Sequence, residues 1–230
     1  MEAAAVNAEP TSGWCEQAVE RELPGLRLVR ARAAVADPGC ASPPAVRARL
    51  RELSNRWTGA HAIGLRQRPV PAAYRVFYRH IGLDPDVVRT PLEEAMLARM
   101  FQGGFHSGHL LADVLLIALV DTGVPVWALD AAMVEGPLGV RASRVGESLG
   151  RSPDAPPLAA GQLVVADAHS AVAVLFGQLA PGHLPPLGGH ASGGHGPCEL
   201  ELFTLQVPGV TALHVEEALW ACLAMLEGPW

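Results

Sequence analysis

At 230 residues, the chain is long enough for one large domain with a sizeable core, or for one domain with appendages. Half of its residues are hydrophobic and 17% are charged, which excludes a wholly disordered chain, while 24 Gly and 20 Pro indicate many turns. The net charge of −6 argues against strong nonspecific binding of nucleic acid, because that binding needs a clustered positive surface.

Residues 1–13 are predicted to be a flexible leader, and residues 14–230 a single domain. The leader lacks the positive and apolar regions of a secretory signal, and the apolar run 110–120 is too short to cross a bilayer. We therefore expect a cytoplasmic protein without a membrane partner. The four cysteines show no CxxC spacing, so we expect neither disulfides nor a metal site, and no cofactor.

Most arginines precede residue 80, and only Arg141, Arg144 and Arg151 follow residue 100. A basic N-terminal face of this kind could contact RNA or a protein partner. The alternative is a solvated surface whose arginines are paired locally with carboxylates.

Four helices are predicted before residue 124. Pro44 in a first turn begins the first, and Thr90 with Glu93 forms a capping box that begins the third. The second and fourth are indicated by apolar periodicity over 72–80 and by the apolar run 110–120.

Beyond Val124, short β-compatible runs alternate with Gly, Pro and Asp, which predicts a sheet-rich second half. A closing helix is predicted over 211–227. Helices followed by strands and one terminal helix indicate an α+β fold. The predicted strands cover 126–129, 138–141, 163–166, 171–176 and 199–207.

Turn and strand-end residues in the middle of the chain resemble a known family. Their order and spacing are similar to those of the B3/B4 module of the phenylalanine–tRNA synthetase β subunit, without a gap over 113–147, and the likeness extends over about 55–227. The segment 82–99 is similar to a freestanding bacterial branch of that family. The matching residues are Asp113, Gly123, Pro125, Asp130, Gly136, Arg141, Gly146, Glu147 and the strand Leu163–Asp167.

This resemblance implies a layered β-sheet core and the binding of tRNA or aminoacyl-tRNA, with hydrolysis of misacylated aminoacyl-tRNA in trans as the associated activity. Three departures bear on that chemistry. The family's His after Gly-x-Pro is Trp127 here, its Asn is Leu116, and its editing-loop Glu has no counterpart between Asp167 and Glu199. The alternative is a non-catalytic module that binds an amino-acid-like small molecule in an apolar pocket.

No catalytic residue is assigned, but a candidate pocket is. For Asp130 and Asp167, the alternative to a role in the pocket is that each is a turn carboxylate. For Arg141 and Glu147, the alternative is an ion pair at the edge of a strand. His109 and Asp113 could pair as base and orienter or form a surface hydrogen bond. The loop histidines His183, His190 and His195 are expected to be solvated, with ligand binding as the alternative. The candidate pocket residues are Asp113, Trp127, Asp130, Arg141, Glu147, Asp167 and His190.

Overall fold

A computed structural model describes residues 9–57, 64–187 and 197–228. Two four-stranded sheets and their helices form a mixed architecture, so the predicted α+β class is confirmed. No helix in these ranges is both long enough and apolar enough to span a bilayer.

The first sheet contains β1, β3, β8 and β4 in that order, with antiparallel neighbours. Its centre is the pairing of β3 (Arg27–Val35) with β8 (Cys198–Gln206) along all nine residues of each strand. The short β1 (Thr11–Ser12) and β4 (Val126–Asp130) form its edges. The two long strands of this sheet therefore come from distant parts of the chain.

The second sheet contains β2, β5, β6 and β7 in that order. The edge strand β2 (Trp14–Cys15) runs parallel to β5 (Gly139–Ala142), whereas β6 (Leu163–Ala166) and β7 (Ala171–Val174) follow as antiparallel neighbours. The N-terminal segment thus contributes to both sheets.

Gly13 lets the chain pass from the first sheet to the second. Its N–H donates to the Leu28 carbonyl at 2.9 Å. A Cβ at this position would lie 2.3 Å from the Leu138 carbonyl oxygen, so a larger residue would force the backbones apart.

Helices cover the first sheet. α6 (Ala212–Leu226) packs on β3 and β8 and against α5 (Leu110–Thr122), which also contacts α2 (Pro44–Arg56) and β4. The predicted helices are confirmed, and Gly123 ends α5 in the left-handed conformation, with φ of 79°. The other helices of the described residues are α1 (Gln17–Glu22), α3 (Pro69–His80) and α4 (Pro91–Gln102).

The strand β3 is the main element that the sequence did not reveal. Two of its arginines, Arg30 and Arg32, point to the same buried carboxylate, that of Glu201 on β8. The Glu201 side chain is fully buried and accepts from Arg30 Nη1 at 2.7 Å and from Arg32 Nε at 2.9 Å. A segment interrupted by arginines is thus made compatible with a sheet interior by a partner far along the chain.

Candidate functional site

Asp167 terminates β6 and organises the turn that leads to β7. Its Oδ1 accepts from the N–H groups of His169 and Ser170 at 2.8 and 2.7 Å. Its Oδ2 accepts from the Glu135 N–H at 3.1 Å and from Arg151 Nη2 at 2.8 Å. Burial alone would raise the pKa of Asp167, but these amide bonds and the Arg151 charge outweigh it and hold the pKa below its ordinary value.

Arg141 on β5 forms a two-pronged ion pair with Glu147. Nη1 lies 2.8 Å from Oε2, and Nη2 bonds Oε1. The Glu147 carboxylate also accepts from the Arg144 N–H at 2.8 Å, which closes the loop after β5. The bond from Arg141 lowers the pKa of Glu147, more than burial raises it. Both residues are therefore committed to fixing this loop.

Arg141 and Asp167 line one small hollow of about 200 Å³, which we call the Arg141 hollow. The indole of Trp14 forms one wall and donates from Nε1 to the Pro137 carbonyl at 2.9 Å. Gly139 lies directly beneath this ring. A Cβ at position 139 would be 2.0 Å from the indole, so a larger residue would displace the ring. Three predicted site residues, Arg141, Glu147 and Asp167, are thus brought together, each with a structural bond.

Asp113 lies elsewhere, in the first turn of α5, and is buried. Its Oδ2 accepts from the hydroxyls of Ser42 and Ser107, and its Oδ1 from the Gly108 N–H at 2.9 Å. The ring of His109 instead caps α5 by accepting from the Ala112 N–H at 3.3 Å. The two side chains are therefore engaged separately, and Asp113 ties the start of α5 to the loop before α2.

Asp130 and Trp127 occupy β4 of the first sheet. Asp130 accepts from the Ala132 N–H at 3.0 Å and caps a short 3₁₀ turn. Trp127 stacks on Phe203 with ring centroids 5.5 Å apart and meets the edge of Phe176 at 5.8 Å. His190 lies outside the described residues, as does His195. The ligand-binding role of these positions stays a prediction.

His183 was expected to be solvated, but this prediction was wrong. The residue is 2% exposed at the end of a short 3₁₀ turn, Pro181–His183. Neither ring nitrogen has a hydrogen bond of normal geometry to the described residues. Burial lowers the pKa of His183, and the attraction of Asp167 offsets only part of this. A neutral, packed ring is the consequence.

Phe176 links the two halves of the aromatic core. Its ring lies 5.0 Å from that of Tyr78 and contacts Tyr74, Phe77 and Trp127 at similar distances. Its φ of 57° is unusual for a bulky residue and costs about 1–2 kcal/mol. The aromatic contacts hold the backbone in this conformation.

A cleft of about 650 Å³ opens beside Phe176, and we call it the Phe176 cleft. Its walls come from α1, from the loop after α3 and from the ends of β5, β6 and β7. The lining is mostly apolar, with Glu22, His80 and Gln162 as its polar side chains. Sequence reasoning missed this cleft because α1 was not predicted.

The Phe176 cleft and the Arg141 hollow differ in chemistry. The cleft can enclose an apolar group beside one carboxylate, whereas the hollow presents guanidinium and indole groups. Within 9–57, 64–187 and 197–228, no three His, Cys, Asp or Glu side chains converge on a point where a metal ion would fit.

Comparison with known proteins gives one partial relationship. A phenylalanine–tRNA ligase beta subunit of Xanthomonas euvesicatoria pv. vesicatoria (strain 85-10) is 38% identical to the chain over 68 residues. The matched stretch makes up 30% of this chain and 8% of that subunit. No protein-family model matches the chain. The relationship to the ligase subunit is thus confirmed in part, and membership of a freestanding family stays a prediction.

Proposed function

We propose that the chain is a tRNA-associated binding module that holds an amino-acid-like group in the Phe176 cleft without hydrolysing it. The apolar cleft beside Phe176 carries this proposal, and the partial match to a tRNA ligase subunit supports the tRNA part. At about 650 Å³ the cleft lies within the range of small-molecule sites.

The lining of the cleft indicates which group it would take. Leu163, Leu175 and Phe176 offer an apolar surface for an aliphatic or aromatic side chain. Glu22 lies at the cleft and forms no ion pair with any described residue. A carboxylate in this position suits the α-ammonium group of an amino acid or of its ester.

The way in which the candidate residues are used supports a non-catalytic role. Deacylation requires a base that positions water and donors that stabilise an oxyanion. Asp167 and Glu147 are instead saturated by backbone amides and arginines. The position of the family's His is Trp127, whose ring packs between Phe176 and Phe203.

Phenylalanine methyl ester tests the cleft, because it combines an aromatic side chain, an ammonium group and an ester. We expect it to raise the melting temperature of the native protein, since a ligand that binds only the folded state stabilises it. Ala18→Trp fills the cleft from the exposed face of α1 and should abolish the shift. Glu22→Gln should weaken binding by about tenfold, as expected for one charge-assisted bond.

Ala224→Trp is the matched control, because Ala224 is exposed on α6 and does not line the cleft. It should keep the full thermal shift. An equal shift in Ala18→Trp would show that the ester binds elsewhere.

Filter binding of uncharged tRNA at increasing salt tests the second part of the proposal. We expect weak binding whose affinity falls as salt rises, because arginine–phosphate contacts release counterions. In parallel, Phe-tRNA and Tyr-tRNA should hydrolyse no faster with the protein than in buffer. Hydrolysis above the buffer rate would overturn the non-catalytic assignment, and a lack of tRNA binding at low salt would remove the tRNA partner.

A further inference from the structure

A basic hollow of about 340 Å³ lies between the end of α2 and the start of α3, away from the two sites above. We call it the Arg68 hollow. Among the described residues, Arg56, Trp57, Arg68 and Asp121 line it. Two guanidinium groups and one carboxylate of these residues thus share the hollow.

The single carboxylate is already in use. Asp121 bonds Arg49 through Nη2 at 2.8 Å and Arg56 through Nη2 at 2.5 Å. Glu52 adds a second anion, which pairs with Arg49 at 2.6 Å. Three arginines and two carboxylates leave this cluster with an excess of positive charge.

Arg68 is the unpaired member of the cluster. Its guanidinium lies 4.5 Å above the ring of Trp57 and forms no ion pair with any described residue. Stacking on an indole orients the guanidinium plane and leaves its N–H groups available, and a guanidinium carries several donors and no acceptor. Arg68 and Arg56 line the same space.

An apolar hollow of about 310 Å³ adjoins this basic one and shares Trp57, Arg68 and Asp121 with it. Its other walls include Val70, Leu92 and Val120, with His214 and Glu217 at α6. The pair of hollows thus offers a cationic compartment next to an apolar one, with Trp57 and Arg68 lining both.

We propose that the Arg68 hollow binds a phosphate group of RNA, and that the adjoining apolar hollow receives the sugar or base of the same nucleotide. Paired arginines suit the two free oxygens of a phosphodiester, and an apolar wall suits the planar base. This inference rests on the proposed function, because it places the contact with tRNA. It assigns the bound phosphate to Arg56 and Arg68 and leaves the Phe176 cleft free for the amino-acid-like group.

Arg68→Gln tests the inference, because it removes the unpaired charge and keeps a side chain of similar length. We expect its affinity for tRNA to fall by about tenfold, as for one charge-assisted hydrogen bond, and the salt dependence to become shallower by about one phosphate contact. Arg27→Gln is the control: Arg27 is exposed on β3, lies outside the hollow and carries the same charge. It should change binding much less.

Glu217→Gln should change the affinity for tRNA in the opposite direction, and a damaged fold could not raise the affinity. It removes a carboxylate from the adjoining hollow and should tighten tRNA binding. If tRNA binds Arg68→Gln and Arg27→Gln equally tightly, the inference is wrong, although the proposed function stands.

If the native protein binds no tRNA, the tRNA part of the proposed function fails. AMP and inorganic phosphate, each tested alone, then decide whether the Arg68 hollow binds a nucleotide phosphate. A rise in melting temperature with AMP that Arg68→Gln loses supports a nucleotide-phosphate site. An equal rise in melting temperature with inorganic phosphate alone would show that the hollow binds only an anion, and would overturn the role of the apolar hollow. No rise with either compound overturns the inference.

Discussion

Asp167→Ala should lower the free energy of unfolding by about 3 kcal/mol, because it leaves one buried and two partly buried backbone N–H groups, and Arg151, without their acceptor. The carboxylate itself has no exposed surface, so water cannot replace it without opening the turn. Urea unfolding followed by circular dichroism measures the change.

Asp130→Ala is the matched comparison for this first prediction. It removes a carboxylate that accepts one N–H, from Ala132, and should cost only about 1 kcal/mol. Equal losses in the two variants would contradict the role given to Asp167.

The effect of Asp167 should also depend on pH. Its pKa in the folded state is lower than in the unfolded chain, so its contribution is present above the unfolded value of about 4 and is lost as pH falls through the folded pKa. The difference in stability between native protein and Asp167→Ala should therefore shrink below about pH 4. If the difference in stability between the two proteins instead grows as the pH falls, the lowered pKa assigned to Asp167 is wrong.

Glu201→Ala should lower the free energy of unfolding by about 2–3 kcal/mol, because it leaves two arginines of the first sheet without their shared carboxylate. The side chains of Arg30 and Arg32 are 22% and 40% exposed, so solvent compensates part of the loss, and the figure lies below that for a fully buried pair. The same urea titration measures it.

Glu199→Ala is the control on the same strand. The Glu199 side chain is 47% exposed and lies 3.8 Å from Arg32, so its removal should change stability by less than about 1 kcal/mol. A similar loss in both variants would indicate that any change on β8 is destabilising, rather than the loss of the buried carboxylate.

Local signals in the sequence were sufficient for most helices and strands. Glu93 accepts from the Thr90 N–H at 3.2 Å, as the capping box predicted, and α4 begins at Pro91. The strand 163–166 was predicted with the boundaries that it has. Such elements depend on neighbours a few residues away, so their signals are contained in short windows.

Elements that depend on distant partners could not be predicted in this way. Arg30 and Arg32 of β3 share the buried carboxylate of Glu201 on β8, and no local pattern reveals that pairing. Trp14 precedes the region of family resemblance, and its position over Gly139 arises from the pairing of β2 with β5. The residue types indicated that Asp167 could be a turn carboxylate, but its hydrogen-bond partners could be identified only from the folded structure.

Many N-terminal arginines turn out to be paired rather than forming a continuous free surface. Arg75 bonds Glu93 at 2.6 Å in the interior, and Arg49 with Arg56 surrounds Asp121. What the sequence showed as a basic region is therefore divided in the structure into internal ion pairs and a few available guanidinium groups. Arg68 is one of the latter, and its position could not be distinguished by composition.

The pairing of β3 with β8 has a consequence for synthesis of the protein. β3 is synthesised well before β8, because helices α2 to α5 and strands β4 to β7 lie between the two strands in the chain. Until β8 is made, the edge of β3 that pairs with it is open, and other nascent chains could add there, which makes chaperone protection valuable. A fragment trimmed to residues 55–227 would have the reverse defect, since β8 would lose the neighbour that shields one of its sides.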